Sequence, residues 1–327
     1  MTLLITQNDL QPLVGNADAL EEAFRLFESV FLEMDDAKNR FRTPNVELPV
    51  RGSQQAVQVN LSSSPTFGAA IRAFPLSARV NPDSHVNLLF DKDDARLLAI
   101  IAGDDVHVYR TSIPVGIAAR HLAPVGGAKV LGVLGSGRQG RGEPETIIHA
   151  LPGIERLVVY SPNEAHRRAY AEEVAPRLGL PVQALNSARE VMEQSDVVAL
   201  TARATAPVFE AQWVKPGATL ISINATQSPP ELIEKARVVM GYRAERMGEP
   251  YKSMIDAGRW SADKVAASLG EVISGQRPPR AHEDDIVLAD MNSAGAWEPA
   301  LYSWVYQWAL KHEAGTEVHL STHAPDA

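Results

Sequence analysis

Apolar residues in the first third of the chain recur at two different spacings. Leu20, Ala23, Phe24, Phe27, Val30, Phe31 and Met34 fall three or four apart, which predicts a core-facing helix. Asp18 and Glu21 form a candidate capping box at its start. Ahead of it, TLLIT (Thr2–Thr6) reads as a short strand. Between Val46 and Ile101 the apolar runs shorten to AVQVNL, AAIRAF, HVNLLF and RLLAII, with Pro, Ser, Asn and Asp between them. That alternation predicts a sheet of several strands. RTSIPVGIAARHL (Arg110–Leu122) predicts a helix, with Pro114 expected in its first turn, where its missing N–H does least harm.

After the turn PVGG (Pro124–Gly127) strands and helices alternate. KVLGVL, RLVVYS, VQAL, DVVALTA, the TLISIN run and RVVMG read as strands. Helices are predicted after the first, second and third of them. Repeated βαβ spacing predicts an α/β fold with a parallel, doubly wound sheet. WEPALYSWVYQWALKH (Trp297–His312) is a helix with an aromatic face, expected to pack back onto the first domain, and the tail beyond Gly315 is expected to be loose. The domains follow: residues 1–123 with 296–327, and residues 124–295.

Net charge is −9, which argues against nucleic acid or an anionic membrane as the main partner. The absence of cysteine removes disulfides, thiolate nucleophiles and Cys-based metal sites. MTLLITQNDL lacks the basic start and apolar length of a signal peptide, and no run is long enough to span a membrane. A cytoplasmic location is therefore expected. The nine histidines are scattered, so no metal is expected. No G-x-S-x-G elbow supports Ser-based hydrolysis.

One stretch carries specific chemistry. In VLGVLGSGRQGRG, Gly135, Gly137 and Gly140 form G-x-G-x-x-G between a predicted strand and a predicted helix. Gly135 permits a tight turn, Gly137 lets backbone N–H groups approach a diphosphate, and Gly140 lets helix and strand sit close. Ser136, Arg138 and Gln139 belong to the same loop. Pro144 suggests a distorted or late first turn of the helix that follows. The residues ending the second strand select the cofactor. NAD(H) usually needs a carboxylate there, and this chain has Tyr160, Ser161, Pro162 and Asn163, with Glu164 past the spot. Arg167 and Arg168 follow one turn later and Arg138 lies in the loop, so NADP(H) is favoured over NAD(H). A solvated helix face is the alternative reading of Arg167 and Arg168.

These residues, with the segments around them, resemble the ornithine cyclodeaminase/mu-crystallin family. HVNLLFDKDDARLLAIIAGDDVHVYRTSIPVGIAARHLA resembles the segment carrying that family's Arg-Thr motif, and GSGRQG matches its glycine loop, Gln139 included. SDVVALTARATAPVFEAQWVKPGATLISIN and WEPALYSWVYQWALKHEAGTEVHL resemble its Thr-rich strand and closing helix. The resemblance implies a Rossmann domain inserted in an N-terminal α+β domain that binds substrate, forms a homodimer and is completed by the C-terminal helix. It implies that Arg110 grips a substrate carboxylate, a role a planar guanidinium suits, with an ordinary ion pair as its other reading. It places Thr111 at the cofactor, with a helix N-cap as its other reading, and Thr201, Ala202 and Arg203 beside the nicotinamide ribose.

Two family residues are missing. The family's catalytic lysine precedes a Phe/Tyr-Pro pair, and in TFGAAIRAFP its place falls near Ala69. Arg72 is the cation of that stretch, with a surface arginine as its other reading; its pKa makes it a poor proton donor. The cyclodeaminase aspartate belongs to a turn that reads INATQSPPEL here, where Asn224, Thr226 and Gln227 supply no carboxylate and Glu231 is structural. His85 is a further candidate proton donor. The expected function is an NADP(H)-dependent oxidoreductase acting on a C=N or C=O group of a small carboxylate-bearing substrate, anchored by Arg110 with Arg72. The alternatives are an NADPH-binding protein with little turnover and an ammonia-releasing lyase.

Overall fold

A computed structural model describes residues 2–13, 15–35, 45–76, 85–103, 105–223, 225–243, 247–291 and 297–320. By its contacts the chain divides between Arg110 and Thr111 into two units, Met1–Arg110 with Ala294–Ala327, and Thr111–Ser293. The sequence had put the boundary at the Pro124–Gly127 turn. The later half of the helix ahead of that turn belongs with the second unit: Thr146 Oγ1 donates to Ser112 O at 2.6 Å and Thr219 Oγ1 to Leu122 O at 2.5 Å.

In the first unit the strands are β1 (Thr2–Ile5), β2 (Asn45–Pro49), β3 (Ala56–Ser64), β4 (Gly68–Pro75), β5 (Val86–Phe90) and β6 (Leu97–Ala102). Helix α1 is Ala17–Asp35 and α9 is Trp297–Lys311. Among the described residues the sheet has seven strands in the order β15-β1-β6-β5-β4-β3-β2, where β15 is Thr316–Val318. The stripe predicted for α1 is buried except at Met34. Its cap is Asn16, whose Oδ1 accepts from Ala19 N at 3.0 Å, rather than Asp18. The expected loose tail instead adds an edge strand: β15 pairs antiparallel with β1, Leu4 opposite Thr316. Helix α9 packs on α1 and on β3, β4 and β5, and its Trp297 and Trp304 meet Phe31 and Tyr109 edge-on.

The strands alternate faces. Asn60, Arg72, Asn87 and Ile101 stand opposite one another across β3, β4, β5 and β6, and all are buried. The adjacent row, Leu61, Ile71, Leu88, Ile100 and Leu4, is aliphatic yet only half-buried, with Leu61 36% exposed.

Helix α2 (Asp105–Leu122) starts five residues earlier than predicted, so Thr111 and Pro114 lie in its interior and Thr111 is no N-cap. The second unit continues with β7 (Val130–Leu134), α3 (Arg138–Ala150), β8 (Arg156–Tyr160), α4 (Glu164–Leu178), β9 (Val182–Ala184), α5 (Ala188–Gln194), β10 (Val197–Leu200) and β11 (Thr219–Ser222). Then come α6 (Pro230–Lys235), β12 (Arg237–Met240), α7 (Tyr251–Asp256), β13 (Val265–Ser268), α8 (Leu269–Ile273) and β14 (Val287–Asp290). Among the described residues these strands form one parallel sheet of eight, β13-β12-β14-β11-β10-β7-β8-β9. The order reverses between β7 and β10, and the crevice beyond the carboxyl ends of strands at such a switch point is where open α/β sheets bind ligands.

Pro144 lies inside α3 rather than in its first turn. It cannot donate to the Gly140 carbonyl, and Tyr170 Oη takes that carbonyl instead at 2.6 Å.

Glu143, beside it, is 1% exposed and its Oε2 has no hydrogen-bond partner. Burial pushes its carboxyl well above the ordinary value near 4.5, so the folded protein holds it protonated where the unfolded chain has ionised it. Stability therefore falls as pH rises from about 4.5 toward the raised folded value. Glu143→Gln keeps the shape and removes the titration. Removing the cost of keeping that carboxyl protonated should raise the melting temperature by roughly a few degrees at pH ~8, and by less at pH ~5. An equal difference at both pH values contradicts this account.

Candidate active site

The glycine turn is built as its spacing requires. Gly135 has φ +114, a conformation L side chains rarely adopt, and a Cβ there would lie 2.7 Å from Ala202 N. A Cβ on Gly140 would lie 2.1 Å from the Gly135 carbonyl oxygen. Gly137 differs: its φ is −80 and a Cβ would meet nothing in the protein within 4 Å. Two glycines are thus demanded by the fold, and the third keeps open a space in front of the α3 N-terminus. A cavity of about 720 Å³ opens there, lined among others by Gly135, Ser136, Gly137, Ser161, Thr201, Ala202 and Arg203. Its size is that of a ligand pocket. Backbone N–H groups, a helix N-terminus and an open Cβ direction together suit a diphosphate, so these residues fit a dinucleotide.

The other cofactor candidates stand outside that lining. Gln139 Nε2 donates to Thr111 Oγ1 at 3.0 Å, so the two are bonded to each other. Asn163 caps α4, its Oδ1 accepting from His166 N at 3.1 Å. Arg168 is exposed and paired with Glu164 at 2.6 Å, the solvated-face arrangement. Arg138 opens α3 and is exposed. Arg167 is not on a solvated face: it is 7% exposed and donates to Ser161 O and Asn186 Oδ1, bracing the turn after β8 from behind. Ser161 Oγ lies 2.8 Å from Ser136 Oγ. Arg189 and Trp213, which the sequence reading passed over, line the cavity as well.

The first unit holds the second cluster. Arg72, His85, Asn87, Arg110 and Tyr302 line one small cavity. Glu298 stands with them: its Oε1 accepts from Arg110 Nε at 2.9 Å and lies 3.6 Å from Arg72 Nη1. Glu298 is 1% exposed and its Oε2 has no hydrogen-bond partner. Arg72 is buried, not a surface arginine, and lies over the Phe74 ring at 4.1 Å. Burial and then the Arg110 charge hold its guanidinium below its ordinary pKa. His85 is buried and stacks on Phe74, ring centroids 5.5 Å apart. Tyr302 Oη donates to Asn87 Oδ1 at 2.7 Å, and burial, then the Glu298 charge, pushes its hydroxyl pKa up. Ala69 and Arg72 are three apart on β4 and so face opposite sides of the sheet. Arg72 therefore does not stand in for the missing lysine. Glu298 went unnoticed in the sequence, where an acid amid the aromatic face of α9 was its only signal.

The turn expected to hold the cyclodeaminase aspartate works on the backbone. Gln227 Oε1 accepts from Ala202 N at 2.9 Å and its Nε2 donates to Leu200 O at 3.0 Å, while Thr226 Oγ1 donates to Ala204 O at 2.9 Å. Asn224 lies outside the described residues. Glu231 is exposed and pairs with Arg259 at 3.4 Å. Among the described residues no cluster of His, Asp and Glu has the makings of a metal site, and no helix is long and apolar enough to cross a membrane.

The model of the ornithine cyclodeaminase/mu-crystallin family matches residues 15–296. A Delta(1)-pyrroline-2-carboxylate reductase of Bacillus cereus is 26% identical over 242 residues, 71% of this chain and 73% of that protein. The structure of Thermococcus litoralis Delta(1)-pyrroline-2-carboxylate reductase in complex with NADH and L-proline gives a TM-score of 0.82 at 23% identity, covering 97% of this chain and 100% of that one. The iminosuccinate reductase of Paracoccus denitrificans in complex with NAD+ gives 0.83 at 22%, covering 98% and 99%. At these identities the two structures speak for the fold.

Proposed function

The chain belongs to the ornithine cyclodeaminase/mu-crystallin family, and on that footing we propose that it is a nicotinamide-dependent oxidoreductase reducing a C=N or C=O group of a small carboxylate-bearing substrate. The observation that carries this reading is Gly137, whose open side faces a ligand-sized cavity while its two partner glycines are locked by packing. A bound nicotinamide supplies the hydride. Arg110, held through Nε by Glu298, takes the substrate carboxylate on its Nη edge. With Ala69 in the lysine's place, a C=N substrate has an advantage over C=O. A protonated iminium arrives already carrying its proton, so hydride addition to carbon sends the π pair to nitrogen and needs no acid, whereas a ketone needs a donor. The Bacillus cereus relative, by its name, reduces a cyclic imino acid, which supports the same preference.

NADP(H) is proposed over NAD(H). The support is the end of β8, where Ser161, not a carboxylate, lines the cavity together with Ser136 of the glycine loop and Arg189. A homodimer is proposed through the aliphatic sheet face that Leu61 and its row leave half-buried, an area a second copy would cover. One specific observation favours a second reading, an NADPH-binding protein with little turnover: no lysine stands at Ala69.

Fluorescence titration should show NADPH binding about tenfold or more tighter than NADH, to a protein that sediments as a dimer. Δ1-pyrroline-2-carboxylate and 2-keto acids with methylamine should then consume NADPH faster than the keto acids alone. Firm binding without turnover favours the second reading, and failure to bind either nucleotide ends both.

A further inference from the structure

We propose that Gln227 is the positioning residue of the cofactor cavity: its amide sets the wall that meets the nicotinamide half of the dinucleotide. The inference rests on the reading of that cavity as a dinucleotide site. Residues 201–208, which follow β10, carry no helix or strand, yet Thr201, Ala202, Arg203, Ala204 and Val208 line the cavity. Such a segment keeps a fixed shape only if its backbone groups are tied elsewhere.

The ties come from the 3₁₀ turn Ala225–Gln227. Gln227 alone supplies three of them. Its Oε1 accepts from Ala202 N at 2.9 Å, its Nε2 donates to Leu200 O at 3.0 Å, and its carbonyl accepts from Val208 N at 3.0 Å. The side chain is 5% exposed, so neither amide end has water as a substitute. From the other side, Thr201 Oγ1 donates to Leu134 O at 3.0 Å and Gly135 O at 2.8 Å. Thr201 thereby fastens the start of the wall to the glycine turn independently of Gln227.

The strand order says which half of the ligand feels this. The sheet runs β8-β7-β10. The end of β8 takes the adenosine ribose, and the diphosphate lies at the turn after β7. A dinucleotide crossing that turn carries its other half over the end of β10. Only an amide of this length offers one acceptor and one donor to the two backbone groups. Asparagine is a methylene short, and an ionised carboxylate cannot donate to Leu200 O.

The test uses the full-length protein with NADPH and with 2′-phospho-ADP-ribose, which lacks the nicotinamide. Gln227→Ala should weaken NADPH by about tenfold or more and the truncated ligand by less than about threefold, the loss of one or two buried hydrogen bonds confined to one half of the site. Gln227→Glu should bind NADPH weakly at pH ~8 and recover toward pH ~5.5, because the introduced carboxyl, once protonated, again donates to Leu200 O. The unsubstituted protein and Gln227→Ala should show no such recovery. Unchanged NADPH affinity in Gln227→Ala, equal loss of both ligands in step with a lowered melting temperature, or no recovery in Gln227→Glu overturns the proposal. Failure of the unsubstituted protein to bind either NADPH or NADH would instead remove the reading of the cavity on which it stands.

Discussion

Gly137→Ala should fold like the unsubstituted protein and lose its dinucleotide. The two halves of that expectation have separate causes. The backbone at Gly137 has φ −80, open to any residue, and the added methyl meets no protein atom within 4 Å. Nothing in the fold resists it. The same methyl projects into the space a diphosphate needs to reach the first N–H groups of α3. Hydrogen bonds to a charged group are worth about 1.5–3 kcal/mol each, so two lost by displacement should weaken NADPH on the order of 100-fold or more. Gly140→Ala is the contrast. Its methyl would meet the Gly135 carbonyl oxygen at 2.1 Å, backbone against backbone, so that variant should lose thermal stability along with binding. Calorimetric melting beside fluorescence titration separates the two, and a Gly137→Ala protein that binds NADPH normally would falsify the placing of the diphosphate.

The glycine turn was legible because everything it needs is local: three spacings, a strand before and a helix after. The α1 stripe was legible for the same reason. What escaped depended on partners distant in sequence. β14 sits between β11 and β12 in the sheet, and its four residues are all buried, so they show no alternation to read. Pro144 suggested a distorted or late first turn of its helix, yet Tyr170, from another helix, satisfies the carbonyl that the proline abandons. Asn163 and Arg168 looked available to a cofactor because a sequence does not show that one is a cap and the other an ion-pair partner. Glu298 lies 188 residues from Arg110, and no local pattern joins them.

That pairing makes Arg110 the more demanding test of the substrate site. Arg110→Lys keeps a positive charge but gives up the planar fork that fixes a carboxylate by two parallel bonds, and with it the Nε contact to Glu298. Misplacement of the reacting carbon should lower kcat/KM for imino acids by roughly 10²–10³-fold. NADPH affinity should stay put, since Arg110 is absent from the cavity around the glycine turn. Arg110→Ala is less clean. It leaves Glu298 buried with Arg72 alone, 3.6 Å away. Removing one partner of a buried pair costs about 3–5 kcal/mol, so lost activity there would be confounded with lost stability. Adding Glu298→Gln should not rescue it, because buried Arg72 would then lose its acid partner. If Arg110→Lys works as well as arginine, the substrate carboxylate is held by some other group and Arg110 serves to pair with Glu298.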